Sequence, residues 1–172
     1  ENTKEKSDFS LRKYIEKQDF SNLLGYVKYP KKDSSGFYYS ESFEGFGGVE
    51  QYFDEIISGK NGLKIVETNA LMDVVGDNNI QEPVSGKTLS LSVDAELQEK
   101  LFSTIAGVVE QVGFKGGSGI VIDVKTGELL AITSYPEFDS NVLTEGTDKE
   151  KVNSFLNDPN NRFLNRATKG LY

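Results

Sequence analysis

Three glycine clusters and several carboxylate pairs are the residues here whose types and spacing could do chemistry. The clusters are Gly45-Phe46-Gly47-Gly48, Gly59-Lys60-Asn61-Gly62 and Lys115-Gly116-Gly117-Ser118-Gly119. The first precedes a helical pattern, so its amides could meet an anion. It lacks the preceding strand and the Lys-Ser/Thr that a phosphate loop needs, so turns and helix ends are the stronger reading of all three. Asp54-Glu55 and the pair Glu41 and Glu44 offer neighbouring acids. Glycoside hydrolysis needs two acids about 5–10 Å apart across a cleft, which adjacency does not supply, so these read as solvated surface. Asp77-Asn78-Asn79 opens like a calcium loop, yet the twelfth position holds Thr88 instead of the bidentate Glu, which excludes that site.

The 172 residues contain no histidine and no cysteine. Zinc, iron–sulfur and thiol chemistry lose their usual ligands, and so does a histidine general base. No metal and no cofactor are therefore expected. A formal net charge of −8 argues against nucleic acid and anionic lipid as partners, because phosphate backbones would be repelled. Eleven Phe and eight Tyr argue for a folded chain, since disordered segments are poor in aromatics. No apolar run approaches the roughly 18 residues that span a bilayer. The charged start at Glu1 carries no signal-peptide pattern, so any membrane anchor of a parent protein is expected to lie outside the chain.

The elements that would position these residues follow from periodicity. The stretch 9–26 holds a short helix, and 31–48 reads as loop with short extended pieces. Val49, Tyr52, Phe53, Ile56 and Ile57 share one helical face, ended by Gly59. Residues 63–68 form a strand, with 71–75 as its hairpin partner and Gly76-Asp77-Asn78-Asn79 closing the unit. Pro83 to Lys87 reads as a junction. Leu89, Leu91 and Val93 alternate with polar residues as in a half-buried strand. Asp94 then caps a helix whose stripe is Leu97, Leu101, Phe102, Ile105, Val108, Val109 and Val112, and Gly113 stops it. Residues 120–124 and 128–133 form a hairpin apolar on both faces, hence a central one with the long helix as one cover. A helix is expected over 148–156. The aromatics Tyr26, Tyr29, Phe37, Tyr38, Tyr39, Phe43 and Phe46 are expected to pack a small module, a partner-binding surface being the alternative.

Four stretches in order resemble class B penicillin-binding proteins. Gly48-Val49-Glu50-Gln51-Tyr52-Phe53-Asp54-Glu55 with Ser58-Gly59-Lys60-Asn61-Gly62 is similar to the family's pedestal signature. Leu91-Ser92-Val93-Asp94-Ala95-Glu96-Leu97-Gln98 resembles the opening of its transpeptidase domain. Ile122-Asp123-Val124-Lys125-Thr126-Gly127-Glu128-Leu129-Leu130-Ala131 continues through Ser134-Tyr135-Pro136 and Phe138-Asp139-Ser140-Asn141, and is the most specific of the four. Asn165-Arg166-Ala167 with Gly170-Leu171-Tyr172 resembles the run that leads into the family's Ser-x-x-Lys. Leu24-Gly25-Tyr26 looks like a remnant of a further family motif. Val124 and Ser140 stand where the family commonly has Pro, a change in turn stiffness.

The resemblance implies an α+β chain. Residues 1–87 would form a pedestal or dimerisation-type module. Residues 88–172 would supply the first helix and central antiparallel hairpin of a transpeptidase sheet of the serine β-lactamase-like kind. The nucleophilic Ser is expected just beyond Tyr172, so no catalytic residue is expected within the chain. The parent would cross-link peptidoglycan stem peptides and bind β-lactams on the extracytoplasmic face of the bacterial membrane. Other cell-wall synthesis proteins of the division or elongation machinery would be partners, and a homodimer is an allowed assembly. The alternatives are a stand-alone scaffold of the wall machinery and, less favoured by the pedestal-like segment, a β-lactam sensor or lactamase relative.

Overall fold

A computed structural model describes residues 12–14, 19–34, 38–40, 42–71 and 74–170. Along the chain these form α1 (Ser21–Leu24), β1 (Tyr26–Lys28), β2 (Lys31–Lys32), β3 (Tyr38–Ser40), β4 (Glu44–Phe46), α2 (Gly48–Tyr52), α3 (Asp54–Ile57), β5 (Leu63–Thr68) and β6 (Val74–Gln81). There follow α4 (Ala95–Val112), β7 (Gly117–Ile122), β8 (Leu129–Tyr135), α5 (Ser140–Glu145), α6 (Lys149–Leu156) and α7 (Arg166–Lys169). The architecture is mixed α/β, with four separate two-stranded antiparallel sheets: β1 with β4, β2 with β3, β5 with β6, and β7 with β8.

The long helix α4 forms for the reasons its sequence supplies. Asp94 sits at the N-cap and accepts from the Leu97 amide at 2.9 Å, and Gly113, at φ +82°, ends the helix. Leu101, Ile105 and Val109 of its stripe lie on the β7–β8 hairpin, whereas Val108 and Val112, expected in the same stripe, are exposed. The close approach needs glycine: a Cβ on Gly119 would stand 2.8 Å from Ile105 Cδ1 and 3.1 Å from Leu101 Cδ1. Phe102 meets Tyr135 edge-on at 5.6 Å, and the Tyr135 hydroxyl donates to Glu110 at 2.7 Å. That bond, with burial and the Glu110 charge adding to it, raises the Tyr135 pKa above its ordinary value.

Several expectations need correction. The helix expected over 49–57 is broken at Phe53 (φ −110°, ψ 19°) into α2 and α3, which rotates the apolar stripe out of register. Tyr52 is therefore exposed, and the residue that α2 buries is Glu50. The partner of β5 is 74–81, not 71–75. Asn69 forms an Asx turn onto the Leu71 amide (2.8 Å), moving the reversal later and placing Gly76 to Asn79 inside the strand. The alternating run 88–93 makes no strand. It lies against the start of β8 through two bonds, from the Asp94 amide to the Leu130 carbonyl and from Ser92 Oγ to the Leu129 carbonyl (both 2.9 Å), too few for a ladder. In the β7–β8 hairpin one face carries α4. The other faces α7 and leaves Ile120 and Ile122 about half exposed. Ahead of the expected helix over 148–156, a further helix, α5, forms beneath the side-chain cap of Asp139.

Candidate functional site

The polar groups buried most deeply lie along one seam, where segment 12–28 runs over β8, the turn after it and α5. Gln98, on α4, is fully buried. Its Nε2 donates to the Asp19 carbonyl (2.5 Å) and the Ile132 carbonyl (2.7 Å), while its Oε1 accepts from the Ile132 amide at 2.8 Å. The side-chain amide thus pairs with one residue of β8 as a neighbouring strand would, and closes that edge. Asn141 repeats the device on the other side, accepting from the Tyr14 amide (2.8 Å) and donating to its carbonyl (3.3 Å). Ser140 Oγ donates to the Gly25 carbonyl (2.7 Å), the Val27 amide donates to Thr144 Oγ1 (3.3 Å), and the Ser21 amide donates to Glu137 Oε2 (2.8 Å).

The seam ends on Glu50, buried at the centre of α2. Arg12 holds it through Nε at 3.0 Å and a second guanidinium nitrogen at 3.3 Å, and the Tyr14 hydroxyl donates at 3.1 Å. Burial first, then the Glu50 charge, raises the Tyr14 pKa, so this phenol stays protonated and donating. At the other end Glu137 is buried beside Asp19. Burial pushes its carboxyl up to about 8, with the Asp19 charge adding to the rise. Beside the seam is a cavity of about 730 Å³ walled by Tyr26, Phe46, Gln51, Tyr52, Phe138 and Phe163. Its rings pack on one another: Tyr26 stacks on Phe46 at 5.5 Å and Phe138 on Phe163 at 5.1 Å, with Tyr26 edge-on to Phe138 at 5.8 Å.

The structure distributes the residues that drew attention by type. The first glycine cluster is a packing feature: Gly48 has φ +51°, and a Cβ there would stand 2.2 Å from the Leu23 carbonyl oxygen. Asp54 and Glu55 open α3, Glu44 belongs to β4, and Glu41 lies outside the described residues. Asp77, Asn78 and Asn79 pair with Val66, Ile65 and Lys64 in a ladder. Tyr26, Tyr29, Phe43 and Phe46 pack, Tyr29 meeting Phe43 edge-on at 5.5 Å. Phe37 and the side chains of Tyr38 and Tyr39 lie outside the described residues. Among the described residues no acidic cluster is placed to hold a metal ion, and no helix is long and apolar enough to cross a membrane. One Ser-x-x-Lys spelling does occur, Ser10-Leu11-Arg12-Lys13. It precedes the pedestal signature instead of following Asn165-Arg166-Ala167, and Ser10 lies outside the described residues. The expectation of no catalytic residue thus rests on motif order, since the spelling itself is present.

Residues 6–91, half of the chain, match the family of the penicillin-binding protein dimerisation domain. The chain belongs to that family. It is similar to the peptidoglycan D,D-transpeptidase MrdA of Escherichia coli K12, with 32% identity over 125 residues, 73% of this chain and 19% of the relative. MrdA of Haemophilus influenzae is 28% identical over 170 residues, 94% of this chain and 25% of the relative. The peptidoglycan D,D-transpeptidase FtsI of E. coli K12 is 32% identical over 109 residues, 63% of this chain and 18% of the relative. The chain thus spans about a fifth to a quarter of the length of these curated relatives. In this penicillin-binding protein segment, Glu50 of the pedestal signature and Gln98 of the next motif both turn inward onto segment 12–28. Sequence reasoning missed both roles, because the partners that bury these polar groups come from distant segments. The signal present in sequence was Gln98 lying next to Leu97 and one turn from Leu101 and Phe102, on an otherwise apolar helix face.

Proposed function

We propose that this chain is the non-catalytic N-terminal part of a bacterial class B penicillin-binding protein whose full length is a peptidoglycan D,D-transpeptidase. The observation that carries this reading is similarity to MrdA across 94% of the chain, well beyond the residues 6–91 of the dimerisation-domain match. In the longer protein, the hydroxyl of the Ser in Ser-x-x-Lys attacks the carbonyl joining the two terminal D-Ala residues of a stem peptide. Its proton passes to the Lys. The acyl–enzyme bond forms as the last D-Ala leaves, and an amine of a second stem peptide then takes the acyl group. A β-lactam traps the same Ser. That Ser falls beyond Tyr172, so the role of residues 1–172 is to hold and orient the reacting domain at the extracytoplasmic face of the membrane. There the module meets other wall-synthesis proteins or a second copy of itself.

The division into a pedestal module (1–87) and the start of the transpeptidase domain (88–172) belongs to the same reading. Two features support the second half being the start of a larger sheet. Gln98 closes the β8 edge, while among the described residues β7 pairs with β8 alone, which leaves its other edge for further strands, and half-exposed Ile120 and Ile122 leave a sheet face for a further layer. Incubation with a fluorescent penicillin tests the proposal. Residues 1–172 should remain unlabelled after denaturing electrophoresis, and the chain extended through the downstream Ser-x-x-Lys and the rest of the domain should label. Covalent labelling of residues 1–172 themselves would sink it.

A further inference from the structure

The β5–β6 hairpin stands apart from the rest of the fold. Its base is tied by Lys60 and Val84, whose amides and carbonyls exchange bonds of 2.8 and 2.9 Å, and by the Lys87 amide on the Ile56 carbonyl at 2.9 Å. Beyond that base no other described element packs closely on either strand, and among the described residues each strand pairs with the other alone. Leu63 and Ile65, which alternation puts on one face of β5, and Val75 and Ile80 of β6 are each more than half exposed. Two strands by themselves bury too little apolar surface to be stable in water, so such a hairpin gains from a further strand.

The two edges differ. β6 has an extra residue near each end of the ladder: Ile80 between the pairs Leu63–Gln81 and Lys64–Asn79, and Val75 between the pairs Glu67–Gly76 and Thr68–Val74. Such bulges bend a strand and blunt it as a template. β5 carries no bulge, no proline and no glycine, so its outer edge is the one shaped to accept another strand. Charge and symmetry fit a second copy there. From Lys60 to Lys87 the three lysines Lys60, Lys64 and Lys87 stand against Glu67, Asp73, Asp77 and Glu82, so this segment carries one negative charge of the chain's −8. Two copies of an acidic chain therefore repel each other little at this hairpin. A two-fold contact also needs a strand compatible with itself. Antiparallel pairing centred on Ile65 sets that residue against its own copy, Leu63 opposite Glu67 and Lys64 opposite Val66, so no like charges face each other.

We propose that β5 pairs antiparallel with β5 of a second copy of this chain about a two-fold axis at Ile65, joining the two hairpins into one four-stranded sheet. This rests on the proposed reading insofar as that reading admits a second copy as partner. Its test reads association and not penicillin labelling, so either can fail without the other.

Sedimentation equilibrium of residues 1–172 should show the mean mass rising from the monomer value toward twice that value between roughly 1 and 200 µM. Ile65→Lys sets two cations against each other at the axis. It should raise the dimer dissociation constant about tenfold or more and leave the far-ultraviolet circular dichroism unchanged. The chain has no cysteine, so a single introduced thiol reports alone. Ile65→Cys should be captured as a covalent dimer by oxidised glutathione, because directly opposed strand residues lie within disulfide reach. Leu156→Cys, at an exposed position of α6, should not. The capture experiment decides the matter even where Ile65→Lys disturbs the hairpin. A mean mass fixed at the monomer value, a dimer indifferent to Ile65→Lys, or equal capture at positions 65 and 156 would each overturn the proposal.

Discussion

Replacing Gln98 with alanine removes the side chain that ties α4, β8 and segment 12–28 together, and its cost can be worked from the contacts. Three hydrogen bonds are lost, two to carbonyls and one from the Ile132 amide, all at 2.5–2.8 Å in a fully buried place. Each is worth about 1 kcal/mol net, and the stranded Ile132 amide adds a desolvation penalty of about 1–3 kcal/mol. A partly collapsed cavity adds to that. The expected loss is therefore at least about 4–6 kcal/mol, a large share of the ~5–15 kcal/mol that holds a typical domain together. Urea unfolding followed by far-ultraviolet circular dichroism measures it as a lowered midpoint with an unchanged slope. Gln98→Glu sharpens the test. It keeps an acceptor for Ile132 but sets a carboxylate against two carbonyl oxygens, so it should be at least as damaging as alanine at pH 7 and recover in acid, where the protonated acid donates. If Gln98→Ala lies within about 0.5 kcal/mol of the unsubstituted protein, or Gln98→Leu is as stable, the backbone-pairing role is wrong.

Two packing and capping predictions accompany it. Gly119→Val should lower stability by about 1–3 kcal/mol through overpacking against Leu101 and Ile105, read as a drop in thermal midpoint; an unchanged midpoint would mean that α4 moves away freely. Asp94→Ala should cost ~1 kcal/mol by freeing the Leu97 amide, with Asp94→Asn nearly neutral, and equal losses from the two would place the effect outside the cap.

Elements whose cause is local were legible in the chain. The α4 helix carries its cap, stripe and stop within Asp94 to Gly113, and 148–156 likewise yields a helix with Asp148 as cap. The β7–β8 hairpin was readable from its β-branched runs around Lys125-Thr126-Gly127, though its strands are Gly117–Ile122 and Leu129–Tyr135, shifted toward the glycines that α4 packs on. Readings that assumed periodicity alone would suffice failed. The stripe from Val49 to Ile57 is continuous in sequence and broken in space at Phe53, and the alternation at Leu89, Leu91 and Val93 finds no partner strand among the described residues.

What the sequence determined by itself was family, motif order and the lack of histidine and cysteine side chains, because these depend on residue identity and spacing alone. What tertiary structure decided was the seam. Glu50 looks like a surface acid until Arg12 and Tyr14 arrive from 36 to 38 positions away, and Glu137 until Ser21 arrives from 116 positions away. Gln98 becomes a substitute strand only when β8 and Asp19 close on it. The fate of a polar side chain depends on whether distant backbone groups come to replace its water, and no local pattern carries that information.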